Sequence, residues 1–223
     1  MTKAVVVFSG GQDSTTCLAW ALRKFGRVQA ITFDYGQRHA AELDAARTIA
    51  GKLGVRHRVV DLRGFGQCSE SALTRADVEV AAGGGLGGLP STFTPCRNLV
   101  FLTMAAAYAI SEGAFDLVTG VCETDYSGYP DCRRRTIDHL QETIALGNDL
   151  PGFWIHTPLM FRDKRETVEL ARDLGILPLL ADTHTCYFGR RPACGTCPAC
   201  ILRLRGFAAA CVPDPIEYEV SAG

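Results

Sequence analysis

The chain has 223 residues, 47% of them hydrophobic and 21% charged, which excludes a disulfide-stapled miniprotein and a disordered chain. Its 23 Lys+Arg against 24 Asp+Glu leave a formal charge of −1, so no general polyanion-binding field exists. Ten cysteines remain to be explained.

In chain order, Ala4–Phe8 is a β-branched run expected of a strand buried on both faces. This start resembles the charged end of a signal peptide, but its apolar run stops at Ser9, short of the roughly 7 residues a leader needs. The longest apolar-looking stretch, Phe101–Ile110, is about half the length of a membrane span. A cytoplasmic protein is expected, and there thiols are more often ligands or core residues than disulfides. Thr15–Phe25 has helical spacing and closes at Gly26. Val28–Phe33 and Arg58–Asp61 read as strands around a helix over Ala40–Leu53. This alternation predicts an α/β fold, a doubly wound parallel sheet with helices on both faces.

Gly64–Pro95 is Gly-, Ser- and Thr-rich and weakly periodic, and reads as a long mobile excursion. Gly83, Gly85 and Gly88 in it satisfy a dinucleotide-binding pattern. Leu89-Pro90-Ser91 follows, so no helix starts promptly and a flexible loop is the reading. Further on come a helix over Asn98–Ser111, a strand over Asp116–Gly120 and a helix capped by Asp131 running to about Leu146. A strand over Trp154–Leu159 is next, and Asp163–Glu166 has capping-box spacing before a helix ending near Gly175. A cysteine-rich segment, about 183–211, and a last helix follow. With no repeat and no long linker, one domain over 1–223 is expected.

The loop Ser9-Gly10-Gly11-Gln12-Asp13-Ser14 joins the first strand to the first helix. Its glycines permit close approach of the backbone to a phosphate, and the helix start offers unpaired N–H groups. Ser9, Ser14 and Thr15 add hydroxyls. Asp13 repels phosphates unless a cation intervenes, which Mg²⁺ bound with ATP would supply. No Lys follows, so this is no Walker loop. It is similar to the S-G-G-x-D-S signature of ATP pyrophosphatases, which implies cleavage of ATP between the α and β phosphates and adenylation of a substrate.

Cys186, Cys194, Cys197 and Cys200 place four thiols in fifteen residues. Four sulfurs suit tetrahedral Zn²⁺ with no open position, hence a structural role; an iron–sulfur cluster is the rival. Asp34–His39 and Glu123–Cys132 follow strands two and four and reach the carboxyl edge of the sheet, where ligands bind in open α/β sheets. The second of these, with its rings and carboxylates, suits a flat heterocycle bearing amines. Arg97 and Asn98 open a helix. Lys164, after the fifth strand, is in reach of a phosphate. Arg133–Arg135 reads as a solvated face, and His57, His139, His156 and His184 as ordinary core or surface histidines.

Together the segments Phe8–Leu18, Ile31–His39, Thr119–Cys132, Thr157–Met160 with Lys164 and Glu166, and Thr185–Cys200 resemble the 7-cyano-7-deazaguanine synthase family of queuosine biosynthesis. The resemblance implies conversion of 7-carboxy-7-deazaguanine and ammonia to the nitrile with ATP, by adenylation first of the carboxylate and then of the amide. It implies one structural zinc per subunit on Cys186, Cys194, Cys197 and Cys200, and a homodimer. It implies an ATP loop of Phe8, Ser9, Gly10, Gly11, Gln12, Asp13, Ser14, Thr15, Thr16, Cys17 and Leu18. The residues expected to take part in catalysis are Asp13, Ser14 and Lys164. Those expected at the deazaguanine are Arg97, Asn98, Glu123, Asp125, Tyr126, Ser127, Tyr129 and Asp131. Neither a membrane nor nucleic acid is an expected partner. One departure stands out: Cys96 occupies the position where the family pattern Thr-Phe-x-Pro-Gly-Arg-Asn has glycine. A different ATP-dependent amide ligase and a zinc-bearing RNA-binding module are the competing classes, the latter disfavoured by the net charge.

Overall fold

The computed structural model describes residues 2–37, 41–75, 77–81, 86–124 and 128–219. Five strands, β1 (Lys3–Val7), β2 (Arg27–Asp34), β3 (Arg56–Asp61), β4 (Asp116–Val118) and β5 (Trp154–His156), form one sheet in the order β3-β2-β1-β4-β5. Every pairing is parallel. The order reverses at β1, so the crevice beyond the carboxyl ends of β1 and β4 is where a ligand is expected.

The continuous apolar run of β1 has its reason in two cores. Ala4, Val6 and Phe8 pack with α1 (Gln12–Lys24) and α2 (Ala41–Lys52) on one face. Val5 packs with β2's Ile31 and Phe33 and with α4 (Arg97–Ser111) and α5 (Arg134–Gly147) on the other; α3 is a single turn, Arg63–Gly66. Successive β1 side chains thus enter different cores, and both are apolar. The fourth and fifth strands are shorter than their apolar runs because only three residues of each pair in the sheet.

α6 (Lys164–Asp173) starts with the expected box: Asp163 accepts from the Glu166 N–H at 2.7 Å and Glu166 accepts from the Asp163 N–H at 2.8 Å. The cap expected at Asp131 is corrected. Asp131 lies in a short 3₁₀ turn, Pro130–Cys132, and its Oδ2 accepts from the Asn98 N–H at 3.0 Å, capping α4 from 33 residues away. The first turn of α5 is served by Glu123, which accepts from the Arg134 N–H at 2.8 Å. Each carboxylate settles on a helix start close in space, where unpaired N–H groups and the dipole favour it.

The excursion between β3 and α4 is better anchored than its composition predicts. Ser71, Ala72, Ser91 and Thr92 are buried. Ser91 accepts from the Ala81 N–H at 2.8 Å, and Ala72 N–H reaches the Ser91 carbonyl at 2.9 Å. Gly83 and Gly85 of the dinucleotide-like pattern lie outside the described residues. Gly88 ends a short 3₁₀ turn, and no helix follows it until α4.

Cys96, the departure from the family pattern, has φ +61° and ψ +8°, a left-handed backbone on an exposed residue at the N-cap of α4. Its thiol does not line the cleft described below. Left-handed conformation costs a side-chain-bearing residue about 1–2 kcal/mol, whereas Gly adopts it freely at the expense of unfolded-state entropy. Cys96→Gly is therefore expected to leave stability unchanged or raise it by up to about 1 kcal/mol, and Cys96→Val to lower it. Thermal melts of the two variants check this.

α7 (Pro198–Ala209) carries Arg203, buried to 1% exposure. All five of its N–H donors are engaged: Nε and Nη2 hold Asp214 at 2.8 and 2.9 Å, Nη1 reaches Thr183 and Thr185, and Nη2 reaches the Leu180 carbonyl. Tyr218 donates to the same Asp214 at 2.6 Å, so the chain after α7 is pinned beside the cysteine cluster. Removing one partner strands a buried charge. Asp214→Ala is expected to cost about 3–5 kcal/mol, read by denaturant unfolding.

Candidate functional site

The glycine loop closes on itself before it faces a ligand. Ser14 Oγ accepts from the Ser9 N–H at 3.2 Å and sits 3.1 Å from Ser9 Oγ and from the Gly11 carbonyl. Gly10 has φ +80°, and a Cβ there would lie 2.5 Å from the Ala46 nitrogen, so α2 packs directly on the loop. Gly11 caps α1 with backbone only. As first-turn groups the N–H of Gln12, Asp13 and Ser14 have no intrahelical acceptor, and these residues line the cleft, an arrangement suited to anions.

Side chains of the loop divide between cleft and core. Phe8, Ser9, Gly11, Gln12, Asp13 and Ser14 line the cleft. Gly10 is turned to α2, and Thr15, Thr16, Cys17 and Leu18 are fully buried. Thr15 and Thr16 hydroxyls bond back to the Gly11 and Gln12 carbonyls, and Cys17 and Leu18 belong to the α1–α2 core. Of the expected ATP-loop residues, these five are thus placed away from the cleft by their packing, the four helical ones because they face the core.

Asp13 Oδ2 accepts from Lys164 Nζ at 2.5 Å, joining α1 to α6 across 151 residues. Gly206 of α7 fixes the lysine, since a Cβ there would lie 2.7 Å from Lys164 Cβ. Asp13 Oδ1 and Gln12 Nε2 are buried atoms without a hydrogen-bond partner. A carboxylate oxygen left unpaired at a helix N-terminus fits a divalent cation.

From this floor a cleft of about 350 Å³ rises between the carboxyl ends of β1, β2 and β4 and the start of α7. Tyr35, Glu42, Arg97, Asn98, Tyr129 and Tyr187 are on its walls. Tyr129 is buried, exchanges a 2.6 Å hydrogen bond with Thr92, and has the Arg97 guanidinium 5.8 Å from its ring centre. Burial pushes the Tyr35 phenol up to about 12 and the Tyr187 phenol higher still. Burial also raises the Glu42 carboxyl, against the pull of Arg97.

Of the expected substrate and catalytic residues, Arg97, Asn98, Tyr129 and Lys164 line this one cleft. Glu123 and Asp131 cap helices and do not line it. Asp125, Tyr126 and Ser127 lie outside the described residues, as do Arg38 and His39. The sequence reading missed Tyr35, Glu42 and Tyr187 as individual wall residues. Tyr35 and Tyr187 sit in segments the resemblance matches, but Glu42 reads from sequence as an ordinary first-turn acid. Asp34, at the carboxyl edge of the sheet, holds Arg63 at 2.6 Å, and that guanidinium keeps its carboxyl below the usual range.

Cys186, Cys194, Cys197 and Cys200 are all buried, with their sulfurs within 4.8 Å of one another. Four sulfurs at about 2.3 Å around a tetrahedral ion stand about 3.8 Å apart. Cys194 and Cys200 sulfurs are 3.9 Å apart. The Cys194 sulfur also accepts from the Cys197 and Thr196 N–H groups at 3.3 and 3.4 Å. Hydrogen bonding from Cys200, against burial, holds the Cys197 thiol down to about 5. Such a donor set fits a metal such as zinc.

A family model described as queuosine biosynthesis protein QueC matches residues 3–211. The chain is 55% identical to a 7-cyano-7-deazaguanine synthase from Chromobacterium violaceum, over 99% of this chain and 95% of that protein. It is 54% identical to one from Laribacter hongkongensis (96% and 93% covered) and 51% identical to one from Bacillus subtilis (99% and 97%). Among the described residues, no helix is long and apolar enough to cross a membrane.

Proposed function

Since the chain belongs to the QueC family and makes 7-cyano-7-deazaguanine, we propose that it does so by two adenylations, first of the carboxylate oxygen and then of the amide oxygen on the same carbon, over the floor of this cleft. The observation that carries the reading is the pairing of Lys164 with Asp13 above the open N-terminus of α1, with one Asp13 oxygen left unpartnered. The N–H groups of Gln12, Asp13 and Ser14 and the Ser9 and Ser14 hydroxyls bind the β and γ phosphates that leave as pyrophosphate. Lys164 offsets charge on the α phosphate as the carboxylate oxygen of 7-carboxy-7-deazaguanine attacks it. Asp13 would hold Mg²⁺, which supplies charge neutralisation for the triphosphate.

Ammonia then displaces AMP from the acyl-adenylate and gives the primary amide. Adenylation of the amide oxygen converts it to a leaving group, and loss of AMP and protons yields the nitrile. The chemistry needs positioning and charge stabilisation, with no side-chain nucleophile. Arg97, Asn98 and Tyr129 are the described residues proposed to contact the deazaguanine. Asp125, Tyr126 and Ser127 belong to the same proposal through the resemblance. Glu123 and Asp131 act on it indirectly, through the helix starts they cap.

Cys186, Cys194, Cys197 and Cys200 hold structural zinc, which the closed thiolate set supports over an iron–sulfur cluster. A homodimer, implied by the resemblance, and a cytoplasmic location, expected from the sequence, complete the proposal.

The test is the mass of the product from the carboxylate, ammonia and ATP, with AMP and pyrophosphate counted alongside. Two of each per nitrile are expected. A conjugate of the carboxyl group with another amine would make the chain a different amide ligase, and a single AMP per product would remove the second adenylation.

A further inference from the structure

Glu42 stands on the cleft wall with no task in the scheme above. It lies in the first turn of α2, which Gly10 admits so closely that a Cβ there would meet the Glu42 carbonyl at 2.7 Å. The backbone carrying Glu42 is therefore fixed against the phosphate loop. Asp44, the other acid of that turn, is exposed and paired with Arg47 at 2.9 Å. Glu42 instead is half-buried and lines the cleft. The charge that acts on it is the Arg97 guanidinium, while burial opposes its ionisation. A half-buried carboxylate on a cleft wall is favoured by a ligand that supplies N–H donors to it.

The chemistry of the donors selects the ligand. An ionised carboxylate only accepts, and its two oxygens suit two N–H groups side by side. The pyrimidine edge of a deazaguanine offers such a pair, the ring N–H and the exocyclic amine. Adenine offers one amine beside a ring nitrogen that is itself an acceptor, which a carboxylate repels. The buried ring of Tyr35 and the partly buried ring of Tyr187 line the same cleft and suit a flat base.

We propose that Glu42 reads the paired N–H donors of the deazaguanine and so sets base specificity. This rests on the reading that the cleft takes that substrate. The Arg97 guanidinium favours the ionised carboxylate, against burial, and the nucleotide's adenine is read elsewhere.

The experiment compares kcat/KM for 7-carboxy-7-deazaguanine and for its analogue lacking the 2-amino group, in wild type and in Glu42→Gln. A site built to accept from that amine discriminates by about 10- to 100-fold in wild type. In Glu42→Gln, kcat/KM for the natural substrate is expected to fall by about that factor, and that for the analogue by no more than about threefold. KM for ATP should stay within about twofold, since the variant is nearly isosteric. Both substrates are measured on the same preparation, so partial misfolding lowers both alike and leaves the ratio intact. An unchanged ratio, or a loss expressed in KM for ATP, overturns the proposal. Failure of the wild type to make the nitrile would instead overturn the cleft's substrate and is seen before any variant is compared.

Discussion

Asp13→Asn is expected to lower adenylation by at least about 10²–10³-fold while the protein stays folded. The substitution preserves shape but removes the charge that faces two ways. Oδ2 holds the Lys164 ammonium at 2.5 Å, and Oδ1 is buried with no partner. Without that charge the lysine loses its anchor, and under the proposed mechanism a cation held by Asp13 would lose its ligand. The fold depends on neither, because the α1 core is made by Cys17, Leu18 and Ala21, further along the helix. Pyrophosphate release in the presence of the carboxylate and ATP reads the activity, and a thermal melt reads the fold. Near-normal release from a folded variant would remove Asp13 from the chemistry. Lys164→Met complements it: it leaves Asp13 charged, so ATP should still bind while release slows.

Removing the metal is expected to produce the largest loss of stability. The four cysteines and Ala193 form a cluster of their own, packed mainly by Tyr187, Ala199, Ile216 and Tyr218. So small a core cannot hold itself together, and metal binding there is folding free energy, on the order of 10 kcal/mol in isolated structural zinc sites. Cys197→Ser, or stripping with a strong chelator, should release α7 and the tail pinned through Asp214 to Arg203. Gly206 of α7 positions Lys164, so activity falls as a consequence of unfolding. Metal analysis should find about one zinc per chain, and the variant should show low solubility or a separate low-temperature melting step. Iron with visible charge-transfer absorption, or an unaltered melt after metal loss, would contradict this.

The sequence by itself determined the parallel sheet, the phosphate loop and the cysteine cluster. Each is written in local pattern: a doubly buried run at Ala4–Phe8, a strand–glycine–helix junction at Ser9–Ser14, and four thiols within fifteen residues. Local backbone preference and ligand spacing act over a few residues, so a linear reading reaches them. The capping box at Asp163 is legible for the same reason. Only the tertiary structure decided which acids cap which helices. Asp131 serves α4 and Glu123 serves α5 because those N-termini are brought close by packing, and no spacing in the chain encodes that. The structure also decided that Thr15–Leu18 face a core, that Asp13 pairs with Lys164, and that Glu42 turns into the cleft while Asp44 turns to water. From sequence Glu42 and Asp44 are equivalent first-turn acids. What separates them is the close approach of α2 to Gly10, a contact between segments over thirty residues apart that exists only once the sheet has formed.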